Sequence, residues 1–146
     1  MTTAPTTVNG QVIGQAHYAT RALLEGLLVK SGASFHQGLG LNYVAAQGGS
    51  ADIEAIVGGL VGGVKIDAAL ARAVVDELIA AKLLEAAPGD VVRFTDAGAE
   101  LHAYTRAAGA KLTARLYGDI PAADLETAGR VLALVTQRAN AELAAS

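Results

Sequence analysis

Apolar residues recur at helical spacing along most of this chain. Alanine, valine, leucine and isoleucine return every three or four positions, which places them on one side of an α-helix. Polar or glycine-rich breaks separate these stretches. The spacing predicts six helices, at Gln11–Lys30, Phe35–Gln47, Ala51–Val57, Asp67–Leu84, Gly98–Tyr117 and Ala122–Ala145.

The breaks between the apolar stretches predict how the helices begin and connect. Ser34, Ser50 and Asp67 are typical N-cap residues for the three helices that follow them. The stretch GGLVGGV at 58–64 indicates a flexible or tightly packed link. Residues 86–93 predict a short hairpin that turns through Pro88-Gly89-Asp90. Helix, tight hairpin and helix in this order are the layout of a winged helix.

Three stretches resemble the MarR family of bacterial transcription regulators. The first is the helix end Leu78-Ile79-Ala80-Ala81-Lys82-Leu83-Leu84, and the second is the step Phe94-Thr95-Asp96-Ala97-Gly98 after the hairpin. The third runs from Leu112 to Leu143, where a short break at Gly118-Asp119-Ile120-Pro121 joins two long helices. The resemblance covers about Val12 to Leu143.

This resemblance implies an all-α protein with a small β-hairpin, built as a winged helix-turn-helix within an intertwined helical dimer. Residues 1–10 are expected to form a flexible arm, and residues 11–146 a single MarR-like subunit. The winged-helix part would occupy about 35–97, and the dimerisation helices about 11–30 and 98–146. The family's regulators bind DNA as homodimers.

Composition supports a helical protein that buries part of its apolar surface in an interface between subunits. Hydrophobic residues make up 52% of the 146 positions, aromatic residues only 4% and charged residues 17%, which is below the usual quarter. The absence of cysteine excludes disulfides and thiolate metal sites and fits a cytoplasmic protein. The N-terminus lacks the features of a signal peptide, and no stretch predicts a membrane span.

The family resemblance implies a surface that binds double-stranded DNA. Its residues would be Lys65, Ala68, Ala69, Arg72 and Arg93. Among the outward positions of the predicted recognition helix, only Arg72 can make a bidentate contact to guanine. The family usually carries an acidic-x-arginine pattern in the wing, and this wing tip has none. Residues 51–105 hold four basic and nine acidic side chains, a formal charge of −5 that opposes phosphate binding.

A small aromatic or acidic effector is the second partner that the resemblance implies. Arginine can clamp a carboxylate, and histidine or tyrosine can bind a phenol oxygen. The candidate ligand-binding residues are His17, Tyr18, Arg21, His36 and Tyr43. The alternative is that the tyrosines are core or interface residues and the histidines lie on the surface.

No residue pattern indicates a metal, a cofactor or a catalytic site. The three histidines, His17, His36 and His102, are too far apart to pair on one helical turn. No nucleophile elbow, catalytic triad order or phosphate loop is present. The leading interpretation is therefore a ligand-responsive DNA-binding transcription regulator rather than an enzyme. The alternative is a MarR-fold protein that has lost DNA binding and serves as a small-molecule-binding or partner-binding module.

Overall fold

A computed structural model describes residues 5–146 and contains six helices and three short strands. Part of the predicted N-terminal arm, residues 1–4, lies outside the described residues. The elements are α1 (Gly10–Val29), α2 (Phe35–Ala46), β1 (Ser50–Asp52), α3 (Ile53–Val64), α4 (Ala68–Ala80), β2 (Leu84–Ala87), β3 (Val91–Phe94), α5 (Asp96–Tyr117) and α6 (Ala122–Ala145). The predicted helical class with a β-hairpin is confirmed.

The three strands form one antiparallel sheet in the order β1-β3-β2. The predicted hairpin is the β2–β3 pair, in which Glu85 lies opposite Arg93. The prediction that Ser50 caps a helix is wrong, because Ser50 begins β1. That strand pairs with β3 and places buried Ala51 opposite buried Val92. Backbone hydrogen bonds to β3 thus outweigh the local capping preference of serine.

The glycine-rich stretch at 58–64 is helical, which corrects its interpretation as a link. It forms most of α3, whose residues Ile56, Val57 and Leu60 are buried in the core. A Cβ atom at Gly59 would overlap the ring of Tyr43 from α2. Close packing of α3 on α2 therefore offsets the low helix propensity of glycine.

The step from β3 into α5 depends on two neighbouring residues. Thr95 Oγ1 donates to the carbonyl oxygen of Lys82 at 2.6 Å and accepts from the amide of Gly98 at 3.0 Å. A Cβ atom at Gly98 would overlap the carbonyl oxygen of Leu83. The threonine and the glycine in this sequence step therefore fix where α5 leaves the sheet.

One apolar core holds the winged-helix region together. It contains fifteen buried hydrophobic residues between Leu28 and Leu101. None of the buried residues is polar or charged within the part of the chain that the structure describes. Hydrophobic burial is thus the main source of stability for this region.

The chain divides into two compact units after Gly109. The second unit, 110–146, contains the end of α5 and all of α6, and α6 has no buried residue. Its apolar side chains are 36–59% exposed. They are Leu125, Val131, Leu132, Leu134, Val135 and Leu143. Within residues 5–146, no helix combines the length and the hydropathy needed to cross a membrane.

Candidate functional site

Helix α4 has one buried face and one exposed face. Asp67 caps it, since its Oδ1 accepts from the amide of Leu70 at 2.7 Å. The buried face consists of Ala71, Val74, Val75 and Leu78. The exposed side chains at the other side of its first turns belong to Ala68, Ala69, Arg72 and Asp76. Leu70 and Glu77 are exposed as well, so the predicted recognition helix presents apolar groups together with one basic and two acidic side chains.

Arg72 is joined to Glu54 in the first turn of α3. Nη1 and Nη2 of the guanidinium donate to Oε1 and Oε2 of the carboxylate, the second at 3.0 Å. The side chain of Arg72 is 51% exposed and that of Glu54 66% exposed. The only arginine of α4 is thus engaged by an acidic residue of its own chain.

This pairing favours the charged forms of both groups. The hydrogen bonds from Arg72 lower the pKa of the Glu54 carboxyl, and slight desolvation opposes them. Hydrogen bonding and attraction to Glu54 raise the pKa of Arg72, to which nearby Asp76 contributes. The pair therefore stays ionised at neutral pH.

The wing also carries a paired arginine. Nε of Arg93 donates to Oε1 of Glu85 at 2.8 Å across the β2–β3 pair. The turn between these strands is formed by Pro88, Gly89 and Asp90, and Asp90 has a positive φ of 56°. Asp90 accepts from the amide of Ile53 through its backbone oxygen at 2.9 Å. The wing tip is thus acidic and attached to the start of α3.

Lys65 lies between α3 and α4 in a left-handed backbone conformation, with φ at 61°. Its Nζ donates to the carbonyl oxygen of Gly62 at 2.7 Å. The five predicted DNA-binding residues therefore occupy one helix–turn–helix and the adjoining wing. Both arginines among them are partly neutralised by carboxylates.

Four of the five predicted ligand-binding residues gather around Phe35. The guanidinium of Arg21 lies 4.1 Å from the centre of the Phe35 ring, and its Nε donates to Glu25 at 2.7 Å. The ring centres of His17 and His36 lie 6.5 and 5.8 Å from that of Phe35. Tyr18, which is 70% exposed, contacts His17 with a centre-to-centre distance of 5.4 Å.

Tyr43 lies elsewhere, two helical turns beyond Phe35 along α2. It is half-buried, packs against the core and contacts the α3 backbone at Gly59. The structure therefore does not bring Tyr43 together with the other four candidates. The surface near Arg21, Glu25, Phe35 and His36 is an open depression rather than an enclosed site.

A better enclosed cavity of about 270 Å³ lies among α1, α2 and α5. Its polar groups come from Asn42 on α2 and from His102, Thr105 and Arg106 on α5. Leu24 and Leu28 supply its apolar wall. Within residues 5–146, Arg106 forms no ion pair. A cation beside hydrogen-bonding and apolar groups is suited to a small anionic ligand.

Sequence reasoning missed this cavity. The available signal was the spacing of His102 and Arg106, four residues apart on one face of a helix. His102 also contacts Phe94, with ring centres 5.8 Å apart. No group of three or more metal-ligating side chains is clustered within the described residues.

No protein-family model and no curated protein matches this chain. Several solved structures match it in fold. A MarR family transcriptional regulator from Silicibacter pomeroyi matches with a TM-score of 0.74 and 18% identity over 90% of this chain and 88% of its own. CouR from Rhodococcus jostii RHA1, solved with p-coumaroyl-CoA, matches with a TM-score of 0.73 and 17% identity over 87% and 90%.

A third similar structure is BpsR from Bordetella bronchiseptica, whose DNA binding is regulated by 6-hydroxynicotinic acid. It matches with a TM-score of 0.67 and 20% identity over 90% of this chain and 99% of its own. These three structures match 87–90% of this chain. The chain therefore has the winged-helix fold of the MarR family regulators.

Proposed function

We propose that this chain, with the MarR winged-helix fold as its framework, is a homodimeric, ligand-responsive transcription regulator that acts in the cytoplasm. The observation that carries the proposal is that α4 is exposed beside a wing. The fold that contains both is matched over 90% of the chain by transcription regulators. In such folds the exposed side of the second helix enters the major groove. Here that side includes Ala68 and Ala69. Lys65, which precedes α4, and Arg93, which lies in the wing, would contact phosphates.

Helix α6 supports the dimer. A 24-residue helix with no buried side chain and six half-exposed apolar residues does not stabilise itself in water. Five of these residues share one face, which a second copy of the same helix would cover: Leu125, Val131, Leu132, Val135 and Leu143. The two α4 helices of a dimer must then lie about 34–36 Å apart along B-DNA, so a small pivot of one subunit is enough to lose binding.

The cavity lined by Asn42, His102 and Arg106 is the proposed effector site. Its arginine and its apolar wall fit a small carboxylic acid with an aromatic ring. The cavity joins α1 and α2 to the first half of α5. A ligand there would bias the position of the winged region and hence the spacing of the α4 helices.

The test is fluorescence anisotropy with duplexes selected from a random pool, at about 50 and about 200 mM salt. We expect saturable binding to a selected duplex that weakens as salt rises, with a shallow slope because few basic groups face the DNA. Lys65→Gln should weaken binding to all duplexes alike and reduce that slope. A folded dimer that binds no duplex at the lower salt would refute the DNA-binding role.

A second function is favoured by the two arginine–carboxylate pairs. Glu54 and Glu85 neutralise Arg72 and Arg93 in a region with a formal charge of −5. A MarR-fold module that binds a small molecule or a partner, without DNA, fits this charge distribution. Such a protein would keep its ligand affinity and show no salt-dependent binding to any duplex.

A further inference from the structure

Glu54 holds the edge of Arg72 that an arginine uses to recognise guanine. Bidentate recognition of guanine takes two donors from one guanidinium to O6 and N7 of the base. In this chain both terminal nitrogens, Nη1 and Nη2, already donate to the two oxygens of Glu54. The pairing is within one chain, between α3 and α4, so it requires neither a second subunit nor DNA to form.

For the guanidinium of Arg72, the carboxylate of Glu54 is a stronger partner than the edge of a guanine base. The guanidinium is ionised in both cases, but the carboxylate carries a full negative charge, whereas the edge of guanine is a neutral acceptor. Glu54 also lies in the first turn of α3, where the helix dipole favours a negative charge. Releasing Arg72 would leave this carboxylate unpaired on the side of the protein that approaches phosphate.

Other acidic groups around the guanidinium act in the same direction. A surface cavity of about 310 Å³ is lined by Ile53, Glu54, Arg72, Asp76 and Asp90. Asp76 lies one turn after Arg72 on α4, and Asp90 lies at the wing tip. An arginine that moves out toward a base would therefore leave several negative charges without their cation.

We infer that Glu54 is a specificity-determining residue of the DNA surface: it keeps Arg72 from reading guanine, so that α4 selects its site without an arginine–guanine contact. This inference rests on the proposed DNA-binding function. It makes Glu54, rather than Arg72, the residue whose replacement changes which bases are preferred. Arg72 in the native protein then contributes a local ion pair and no base discrimination.

The experiment compares duplexes selected from one random pool by the native protein, by Glu54→Gln and by Glu85→Gln. The last variant is a matched control, because it removes the same charge from the other exposed arginine pair. We expect Glu54→Gln alone to gain a guanine preference of about tenfold at one position of each half-site. The double variant Glu54→Gln with Arg72→Gln should lose that preference.

Each other result overturns the inference. If Arg72→Gln alone costs the native protein a guanine preference of about tenfold, Arg72 reads a base in spite of its partner. If Glu54→Gln and Glu85→Gln both gain only base-independent affinity, the effect of Glu54 is one of charge. If neither the native protein nor any variant binds a duplex, the proposed DNA-binding function fails together with the inference. In the first two results DNA is bound, so they refute the inference alone.

Discussion

The winged-helix region and the last helix of this chain contrast in how they bury apolar side chains. Fifteen hydrophobic residues between Leu28 and Leu101 form a core within the single chain. Helix α6, which is longer than any other helix of the chain, buries none of its side chains. The apolar content of the two regions is similar. The difference is that the chain itself buries the apolar side chains of the first region but not those of α6.

The difference teaches that the two regions are stable for different reasons. The winged-helix core depends on contacts that one chain can complete. In the proposed dimer a second molecule would bury the apolar side chains of α6, so we expect the stability of this helix to depend on protein concentration. Changes in the two regions should therefore separate in experiments that distinguish unfolding from dissociation.

The largest effect is expected from charges on the apolar face of α6. In Leu132→Glu combined with Val135→Glu, two carboxylates would be buried in the proposed interface without partners. We expect the dimer to weaken by at least about a thousandfold, and sedimentation equilibrium to give the 14.7 kDa mass of one chain.

Gln137→Glu is the matched control, since Gln137 lies on the opposite, polar side of α6 and should leave the dimer intact. A native protein that sediments as a monomer at micromolar concentration would contradict the comparison. So would an equal loss of dimer in the control.

A core substitution should have the next largest effect. Leu78 is 0% exposed on the buried face of α4, and Leu78→Ala removes three carbon atoms from a packed site. We expect the free energy of unfolding to fall by about 3 kcal/mol, measured by urea denaturation at fixed protein concentration. Leu70→Ala on the same helix, at 43% exposure, should cost less than about 1 kcal/mol. Equal losses would mean that α4 is not packed as described.

The smallest effect concerns the cavity beside Arg106, whose lining residues all lie between Leu24 and Gly109. We expect Arg106→Gln to weaken the binding of benzoate about tenfold to a hundredfold, because a charge-assisted pair is lost. Chemical shifts in an NMR titration measure this affinity. Arg115→Gln, in the second unit, is the control. Unchanged benzoate affinity in Arg106→Gln would remove this cavity as the carboxylate site.

Most of the fold could be predicted from the spacing of apolar residues, because the helices carry their own periodic signal. The strand β1 could not, since three residues, Ser50 to Asp52, are too few for an alternation to be distinguished from a helix cap. The second half of helix α3, residues 58–64, was also missed. Its glycines indicate a break when taken alone, and only the close approach of Tyr43 makes glycine suitable at position 59.

The candidate site was less predictable, because its contacts join residues that are distant in sequence. Arg72 and Glu54 are eighteen positions apart and meet only when α3 packs on α4. Likewise, Asn42 and Arg106 come together through the packing of α2 and α5. A sequence gives the chemical type of such residues, whereas their partners follow from the tertiary structure.

The hydrogen bond from the amide of Ile53 to the carbonyl of Asp90 has a consequence for the opening of the wing. A two-stranded hairpin alone frays easily in water. Here β3 is paired on both edges, and its turn is fixed to the start of α3. Amide protons of β3 should therefore exchange with solvent only when α3 also opens, so that wing and helix form one cooperative unit of hydrogen exchange.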